Sequence, residues 1–379
     1  MFSALAHRIA RATGEVYPFH VGDTWLEPLH AARMESLHSS RIPGLHRYTE
    51  PAGLDELRDL LVERTRQRTG VAVERANLFV TAGATAGLNA VLHALLDPGD
   101  EVLIAAPFWP LIAGIVRACR GVPVPVPILD VAAPEELCSR LDAAASERTA
   151  ALYLSSPNNP SGRVLPRASI EAMVEWASDH DLWVISDEVY EDHVFRGEHT
   201  AVFALAPERT VAAHSFSKAY GMAGNRCGWL VGPAEVVAGA QRLGTHTFYS
   251  TATASQHAAL RALRDGDGWI ADARARYHAA GEKAAEILGV EAPEGGTFLF
   301  LDVADALDER GLIGFLEDCA DHDLFLAPGP SFGPYDSWVR LCFTAVDPAR
   351  TERGVRALRA LLEGRAREAR TAPATGGSR

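Results

Sequence analysis

Residues 214–226 have the sequence HSFSKAYGMAGNR, in which Lys218 follows small hydroxyl residues and precedes a glycine-bearing loop. The β-rich run just before it predicts that Lys218 comes directly after the end of a strand. A lysine condenses reversibly with an aldehyde, and it does so as a neutral amine. A bare S-x-S-K pattern is more often an exposed lysine and indicates little by itself. Arg226, eight residues further on (226 − 218 = 8), favours a phosphate-bearing aldehyde cofactor, because a fixed guanidinium binds phosphate bidentately.

The pattern around this segment predicts an α/β fold with two domains. Between about residues 45 and 285, short β-rich runs alternate with longer helical patterns, which is typical of βαβ units and a mostly parallel sheet. The later strands and helices are shorter and indicate a smaller α+β domain. The strand candidates are Leu78–Thr81, Glu101–Ala105, Ala151–Leu154, Trp183–Ser186, Thr210–Ser215, Gly228–Val231, Thr297–Leu301 and Trp338–Phe343. The helix candidates are Ala86–Leu96, Ser169–Ser178, Ala252–Arg264, Ile313–Asp321 and Pro348–Leu362.

We therefore predict four segments along the chain. Residues 1–44 join the small domain, residues 45–285 form the large domain, residues 286–370 form the small domain, and residues 371–379 are a disordered tail.

The composition narrows the class of protein. The 379 residues carry a net charge of −13, which argues against nucleic acid or an anionic membrane as partner. Five cysteines without a C-x-x-C pair suit a reducing cytoplasm and indicate neither a disulfide framework nor a metal site. Stretches of about 20 apolar residues are missing, and the first 14 residues read as an amphipathic helix instead of a signal peptide.

Three further motifs place polar groups after predicted strands. The run SDEVY (186–190) delivers Asp187 at a strand end, where ligands bind in open α/β sheets. The turn SPNNPSG (156–162) places Asn159 at the same edge. The run TAGATAG (81–87) lets backbone amides at a helix start approach a phosphate. It matches neither the dinucleotide fingerprint nor the P-loop, so a nicotinamide-dependent dehydrogenase lacks support.

The combination of SPNNPSG, SDEVY and SFSKAYGMAGNR resembles the class I/II aminotransferases, the aspartate-aminotransferase-like branch of fold-type I enzymes that use pyridoxal 5′-phosphate. The resemblance extends from about Tyr17 to Leu362. It implies a large domain with a mostly parallel seven-stranded sheet and a smaller α+β domain. It also implies transfer of an amino group between an L-amino acid and a 2-oxo acid.

The resemblance implies cofactor-binding roles for residues of this sequence. Lys218 would carry the cofactor as a Schiff base, and Asp187 would pair with its pyridinium nitrogen. Tyr190 and Asn159 would hydrogen-bond its phenolic oxygen, with Trp109 and Val189 against the two faces of the ring and Phe108 as the alternative to Trp109. The residues around the phosphate match Gly83, Ala84, Thr85, Ser215 and Arg226, and Ser217 is a further cofactor-binding residue.

The same resemblance implies a substrate site and a partner. Arg340 matches the arginine that binds the substrate α-carboxylate, and Gly22, Asn159 and Phe298 would line the same pocket. Tyr48 matches a tyrosine that reaches the neighbouring subunit's site, which implies a homodimer. A second arginine for a distal carboxylate is not evident, which favours a neutral amino acid, aromatic or aliphatic, over aspartate.

Other functions remain as alternatives at this point. A lyase or decarboxylase that uses the same cofactor shares the scaffold, because fold and cofactor do not determine the reaction type. A ligand-binding regulator would need a DNA-binding module, and a basic helix-turn-helix segment is not evident. Residues 329–333 (GPSFG) match the hydrolase motif G-x-S-x-G, which needs a helix directly after it. Pro334 and the residues after it do not begin a convincing helix, so the segment is predicted to be a loop and a hydrolase is rejected.

Overall fold

The structure, a computed structural model, describes residues 14–371, without the side chains of residues 366–371. The helix predicted for the first 14 residues and nearly all of the predicted tail therefore lie outside the described residues. Within residues 14–371, none of the helices combines the length and the apolar character needed to cross a membrane.

The large sheet has seven strands in the order β1-β7-β6-β5-β4-β2-β3. Strand β7 is antiparallel to both of its neighbours, and the pairs from β6 to β3 are parallel. This confirms the mostly parallel seven-stranded sheet. The strands are β1 Leu78–Thr81, β2 Glu101–Ala106, β3 Val122–Pro127, β4 Thr149–Ser155, β5 Trp183–Asp187, β6 Thr210–Ser215 and β7 Gly228–Val231.

Strand β3 was missing from the sequence prediction. Its sequence, VPVPVP, contains three prolines, which cannot donate hydrogen bonds within a sheet. The structure accommodates them because β3 is an edge strand that pairs only with β2.

Helices cover both faces of this sheet. The first is α1, Asp55–Thr69. It is followed by α2 Ala84–Leu95, α3 Leu111–Ala118, α4 Pro134–Ala144, α5 Arg167–Asp179, α6 Phe216–Ala219, α7 Ala234–Thr247, α8 Thr253–Asp265 and α9 Asp267–Leu288. Alternation along β4 separates two buried clusters. Leu152 packs with Ile170 and Met173 of α5, whereas Tyr153 packs with Leu88 of α2 on the other face. Tyr153 therefore points to the α2 side of the sheet.

A second, antiparallel sheet has the order β8-β10-β9. Its elements are β8 Phe298–Asp302, α10 Gly311–Asp321, β9 Ala327–Pro328, β10 Trp338–Cys342 and α11 Pro348–Thr371. The N-terminal segment contributes Phe19 to the buried cluster of this sheet, and Tyr17 forms a bridge with Leu324. Tyr17 and Phe19 thus pack with this sheet, whereas Ala32 packs with Leu57 and Leu61 of α1, so the assignment of residues 1–44 and the domain boundaries stay a prediction.

The last helix differs from its predicted bounds. Helix α11 reaches Thr371, nine residues beyond the predicted end at Leu362 (371 − 362 = 9), and so includes the first residue of the predicted tail. The extension is rich in Glu, Arg and Ala, which are strong helix formers.

Candidate active site

The carboxyl ends of the central parallel strands meet at one edge of the large sheet. Ser155 at the end of β4 lies opposite Asp187 at the end of β5, and β6 ends beside them at Ser215. This edge opens into a cavity of about 420 Å³. Most of the residues that the sequence selected line it: Gly22, Ala84, Thr85, Trp109, Asn159, Asp187, Tyr190, Ser215, Ser217, Lys218, Arg226, Phe298 and Arg340.

Lys218 lies in the short helix α6, immediately after β6. Ser215 begins this helix, and its Oγ accepts a hydrogen bond from the Ser217 backbone N–H at 3.0 Å. Lys218 Nζ donates a hydrogen bond to the carbonyl oxygen of Gly22. Burial lowers the pKa of Lys218 from its ordinary value of 10.5, which favours the neutral, nucleophilic amine.

The chain contains only two lysines, Lys218 and Lys283. Lys283 lies on α9 with 44% of its side chain exposed, and it forms an ion pair with Glu286 at 2.9 Å. Lys218 is therefore the lysine that faces the cavity.

Asp187 is a buried carboxylate with 5% of its surface exposed. Burial raises its pKa to about 6, although the hydrogen bond from Tyr153 has the opposite effect and lowers the pKa. The Tyr153 hydroxyl donates to Asp187 Oδ2 at 2.8 Å, and the Val189 backbone N–H approaches Oδ1 at 3.4 Å. Tyr153 was not among the residues selected from the sequence. The signal that could have found it is its position on β4, two residues before Ser155, which places both side chains on the same face of the sheet.

Arg226 and the start of α2 form a positively charged cradle. Gly83 precedes α2 with a φ of +82°, and a Cβ at this position would lie 2.6 Å from Arg226 Nη2. Within the described part of the chain, Arg226 forms no ion pair, and its Nη1 donates to the Ala223 carbonyl at 3.1 Å. The guanidinium and the free amides of a helix N-terminus together suit an anion such as phosphate. Gly83 itself lies behind Arg226 and does not line the cavity.

Arg340 is buried on β10 without a carboxylate partner among the described residues. Its Nη1 donates to Asn159 Oδ1 at 2.9 Å and its Nη2 to the His20 carbonyl at 2.7 Å. Its Nε has no hydrogen-bond partner in residues 14–371. The rings of Phe298 and Phe332 flank the guanidinium at 4.3 and 5.0 Å. A buried cation without a counter-ion is costly, so this arrangement favours an anionic ligand.

The rest of the cavity wall is mainly apolar. Trp109 lines the cavity, whereas its neighbour Phe108 is buried in the core, 4% exposed, and does not. The further lining residues are Leu88, Pro110, Leu111, Val189, Ala223, Ala327, Ser331 and Phe332. Among those that sequence reasoning did not select, Ser331 and Phe332 belong to the GPSFG motif. Residues Gly329–Phe332 form a single 3₁₀ turn there and not the start of a helix after a nucleophile.

Tyr48 does not line the cavity of its own chain. It is 85% exposed and packs edge-on against Tyr249, with ring centroids 5.0 Å apart.

A second cluster of ionisable groups lies beside the strand ends. Glu188, Glu191 and His214 place potential ligand atoms within 4.8 Å of one another. Arg64 and Arg68 of α1 lie 3.0 and 2.9 Å from Glu191, so its charge is already offset by guanidinium groups. We assign this cluster to an internal ion-pair network.

Known proteins resemble this chain over most of its length. The family model described as aminotransferase class I and II matches residues 15–358. The arginine–pyruvate transaminase of Pseudomonas aeruginosa is 36% identical over 296 residues, which cover 76% of this chain and 75% of that protein. The aspartate/prephenate aminotransferase of Thermus thermophilus is 33% identical over 309 residues, 78% of each chain.

A solved structure shows the same architecture. The aspartate aminotransferase from Thermus thermophilus with maleate superimposes with a TM-score of 0.87 at 28% identity and 95% coverage of both chains. The chain therefore belongs to the class I and II aminotransferase family and is a fold-type I, pyridoxal 5′-phosphate-dependent aminotransferase that acts on amino acids and oxo acids.

Proposed function

We propose that Lys218 carries the pyridoxal 5′-phosphate of this enzyme as a Schiff base and acts as the base of amino transfer. The observation that carries the proposal is that Lys218 is the only lysine of the chain that faces the cavity. Burial lowers the pKa of Lys218, which favours the neutral form of the amine that condenses with an aldehyde.

The other lining residues fit the cofactor. The Arg226 guanidinium and the start of α2 would hold its phosphate, together with Ala84, Thr85, Ser215 and Ser217. Asp187 would hold the proton on the ring nitrogen. Burial raises the pKa of the Tyr190 phenol, so Tyr190 stays a donor that, with Asn159, would bind the phenolic oxygen. Trp109 and Val189 would flank the ring.

The chemistry is then divided between cofactor and chain. When bound, the cofactor supplies an electron-withdrawing ring that stabilises negative charge at the substrate Cα. Arg340 would bind the α-carboxylate and thereby orient the Cα–H bond towards Lys218. Lys218 Nζ would remove the Cα proton, which requires the neutral amine that burial favours, and would then donate the proton to C4′ of the cofactor.

The attachment site is testable without activity. Borohydride reduction of the purified enzyme, followed by digestion and mass spectrometry, should find the cofactor only on the peptide that contains Lys218. Lys283→Arg is the matched control and should leave this labelling unchanged. Labelling of Lys283, or labelling that survives Lys218→Ala, would refute the proposal.

The proposal includes a substrate class, a neutral amino acid with an apolar side chain. Among the described residues, the cationic side chains that line the cavity are Lys218, Arg226 and Arg340. Their proposed partners are the cofactor aldehyde, the cofactor phosphate and the substrate α-carboxylate, so none of them is left for a second carboxylate on the substrate. The remaining wall is supplied mainly by Leu88, Leu111, Phe298 and Phe332. A donor series read by the spectral change of the bound cofactor should rank phenylalanine or leucine above aspartate. The reverse order would contradict this assignment.

We also propose a homodimer in which Tyr48 reaches the neighbouring cavity. Its support is the exposed ring pair of Tyr48 and Tyr249, together with Leu111, which is 54% exposed at the cavity. Mixing inactive Lys218→Ala subunits with weakened Tyr48→Ala subunits should restore activity, because each hybrid would contain one intact site. Absence of recovery in a verified hybrid would contradict the arrangement.

The proposal also includes a location in the cell. The five free cysteines support a reducing compartment such as the cytoplasm.

A further inference from the structure

We infer that Tyr153 is a positioning residue, whose hydroxyl holds the Asp187 carboxylate ionised and correctly oriented for the ring nitrogen of the cofactor. This inference rests on the proposed role of Asp187 and extends it to a residue outside the family-like motifs. Tyr153 does not line the cavity, so it would act only through Asp187.

The geometry is determined by the strand register. Tyr153 on β4 lies opposite Ile185 on β5, and two residues later Ser155 lies opposite Asp187. Both side chains therefore project from the same face of the sheet. The Tyr153 side chain is fully buried, and its hydroxyl is 2.8 Å from Asp187 Oδ2. From the described residues, the other carboxylate oxygen receives the 3.4 Å approach of the Val189 N–H and no side-chain donor.

This contact matters because Asp187 is buried. Burial favours the neutral acid and raises its pKa to about 6, but a neutral acid would not hold a proton on the ring nitrogen. A hydroxyl that donates to the carboxylate stabilises the ionised form. The pKa of Tyr153 is raised well above 10, first by burial and then by the adjacent Asp187, so its hydroxyl keeps the proton that it donates.

Other charges act on Asp187 from nearby elements. His214 on β6 lowers the pKa of Asp187 through its charge, and Glu188, which directly follows β5, raises it. Lys218 and Arg226 face the same cavity. Of the side chains in the described residues, Tyr153 is the one that donates a hydrogen bond to Asp187. A specific loss is therefore expected when its hydroxyl is removed.

The test compares Tyr153→Phe with wild type, first in the apoprotein labelled with ¹³C at aspartate carboxyls. Asp187→Asn identifies the Asp187 resonance. In Tyr153→Phe, the titration midpoint of Asp187 should move upward by about 1–2 pH units, as expected for loss of a hydrogen bond to a charged group. Tyr335→Phe is the matched control, because it removes another buried hydroxyl, bound to the Ala106 carbonyl at 2.9 Å. It should leave the midpoint unchanged.

The holoenzyme supplies the second measurement. Tyr153→Phe should weaken cofactor affinity and lower kcat more than it raises KM for the amino donor. On an Asp187→Asn background it should have no further effect on affinity. An unmoved midpoint, or loss of a cooperative thermal transition, would overturn the inference and make Tyr153 a packing residue. A moved midpoint with unchanged cofactor affinity would refute the role of Asp187, and not the hydrogen bond.

Discussion

Replacing Arg340 by lysine should separate substrate recognition from every other function of the site. Arg340 makes two hydrogen bonds at 2.9 and 2.7 Å, and two phenyl rings flank its guanidinium. Lysine keeps the charge but loses the planar fork that binds a carboxylate bidentately. Truncating one partner of a buried, hydrogen-bonded charge pair costs about 2–5 kcal/mol. Since each factor of ten in rate corresponds to about 1.4 kcal/mol, we expect kcat/KM for an amino acid to fall by a factor between about 30 and about 4,000.

The assay is a single-turnover half-reaction in which the spectral change of the bound cofactor is followed after mixing with an amine. Phenylalanine and 2-phenylethylamine form a matched substrate pair, because they differ only in the carboxylate. Arg340→Lys should slow phenylalanine strongly and leave the slow reaction of 2-phenylethylamine nearly unchanged. Arg340→Met should show the larger loss with phenylalanine.

The stability of the apoprotein gives an independent check of the same reasoning. Arg340 is a buried cation without an acidic partner in the described residues, so Arg340→Met should not destabilise the apoprotein and should leave its urea midpoint equal or higher. Equal losses for phenylalanine and 2-phenylethylamine, or a loss of several kcal/mol of apoprotein stability, would refute the assignment of Arg340 to the substrate carboxylate.

Three further predictions follow from the same site and its surroundings. Gly83→Ala should weaken cofactor binding measured by equilibrium dialysis, because the added Cβ would lie 2.6 Å from Arg226 Nη2 and because Gly83 has a positive φ. An unchanged affinity would contradict the proposal that the positively charged cradle binds the cofactor phosphate. Cofactor affinity of the apoprotein should fall as the pH falls through about 6, since Asp187 is ionised above this pH and protonated below it; Asp187→Asn should remove this part of the dependence. Arg64→Met should lower the free energy of unfolding by about 1–3 kcal/mol, because it removes one partner of the buried Glu191 and Asp192 carboxylates while Arg68 still pairs with both. The charges of His214 and Arg64 hold the pKa of Glu191 well below 4.5. The stability that the ionised Glu191 contributes is therefore present above pH 4.5 and is lost as the pH falls through the lowered pKa. The effect of Arg64→Met in urea melts should accordingly shrink in acid, and an effect that is constant with pH would contradict an origin in the Glu191 ion pair.

The strand-end motifs were predictable because their signals are local. Asp187, Ser215 and Lys218 each follow a β-rich run directly, and parallel strands bring their carboxyl ends to one edge whatever the intervening sequence. The strand VPVPVP was missed for the opposite reason. Its prolines argue against a strand until the sheet order shows that it lies at an edge, and sheet order is not a local property.

By itself, the sequence determined the α/β class, the cavity-forming motifs and the candidate lysine Lys218, since hydrophobic periodicity, turn residues and motif spacing express these features within short segments. Only the tertiary structure showed that Arg340 contacts Asn159 across 181 residues, has no acidic partner among residues 14–365 and lies between two phenyl rings. It alone brought the Tyr153 hydroxyl to Asp187, 34 residues further along the chain. The physical reason is that burial and pairing depend on strand register and on packing between the two sheets, which are properties of the whole folded chain.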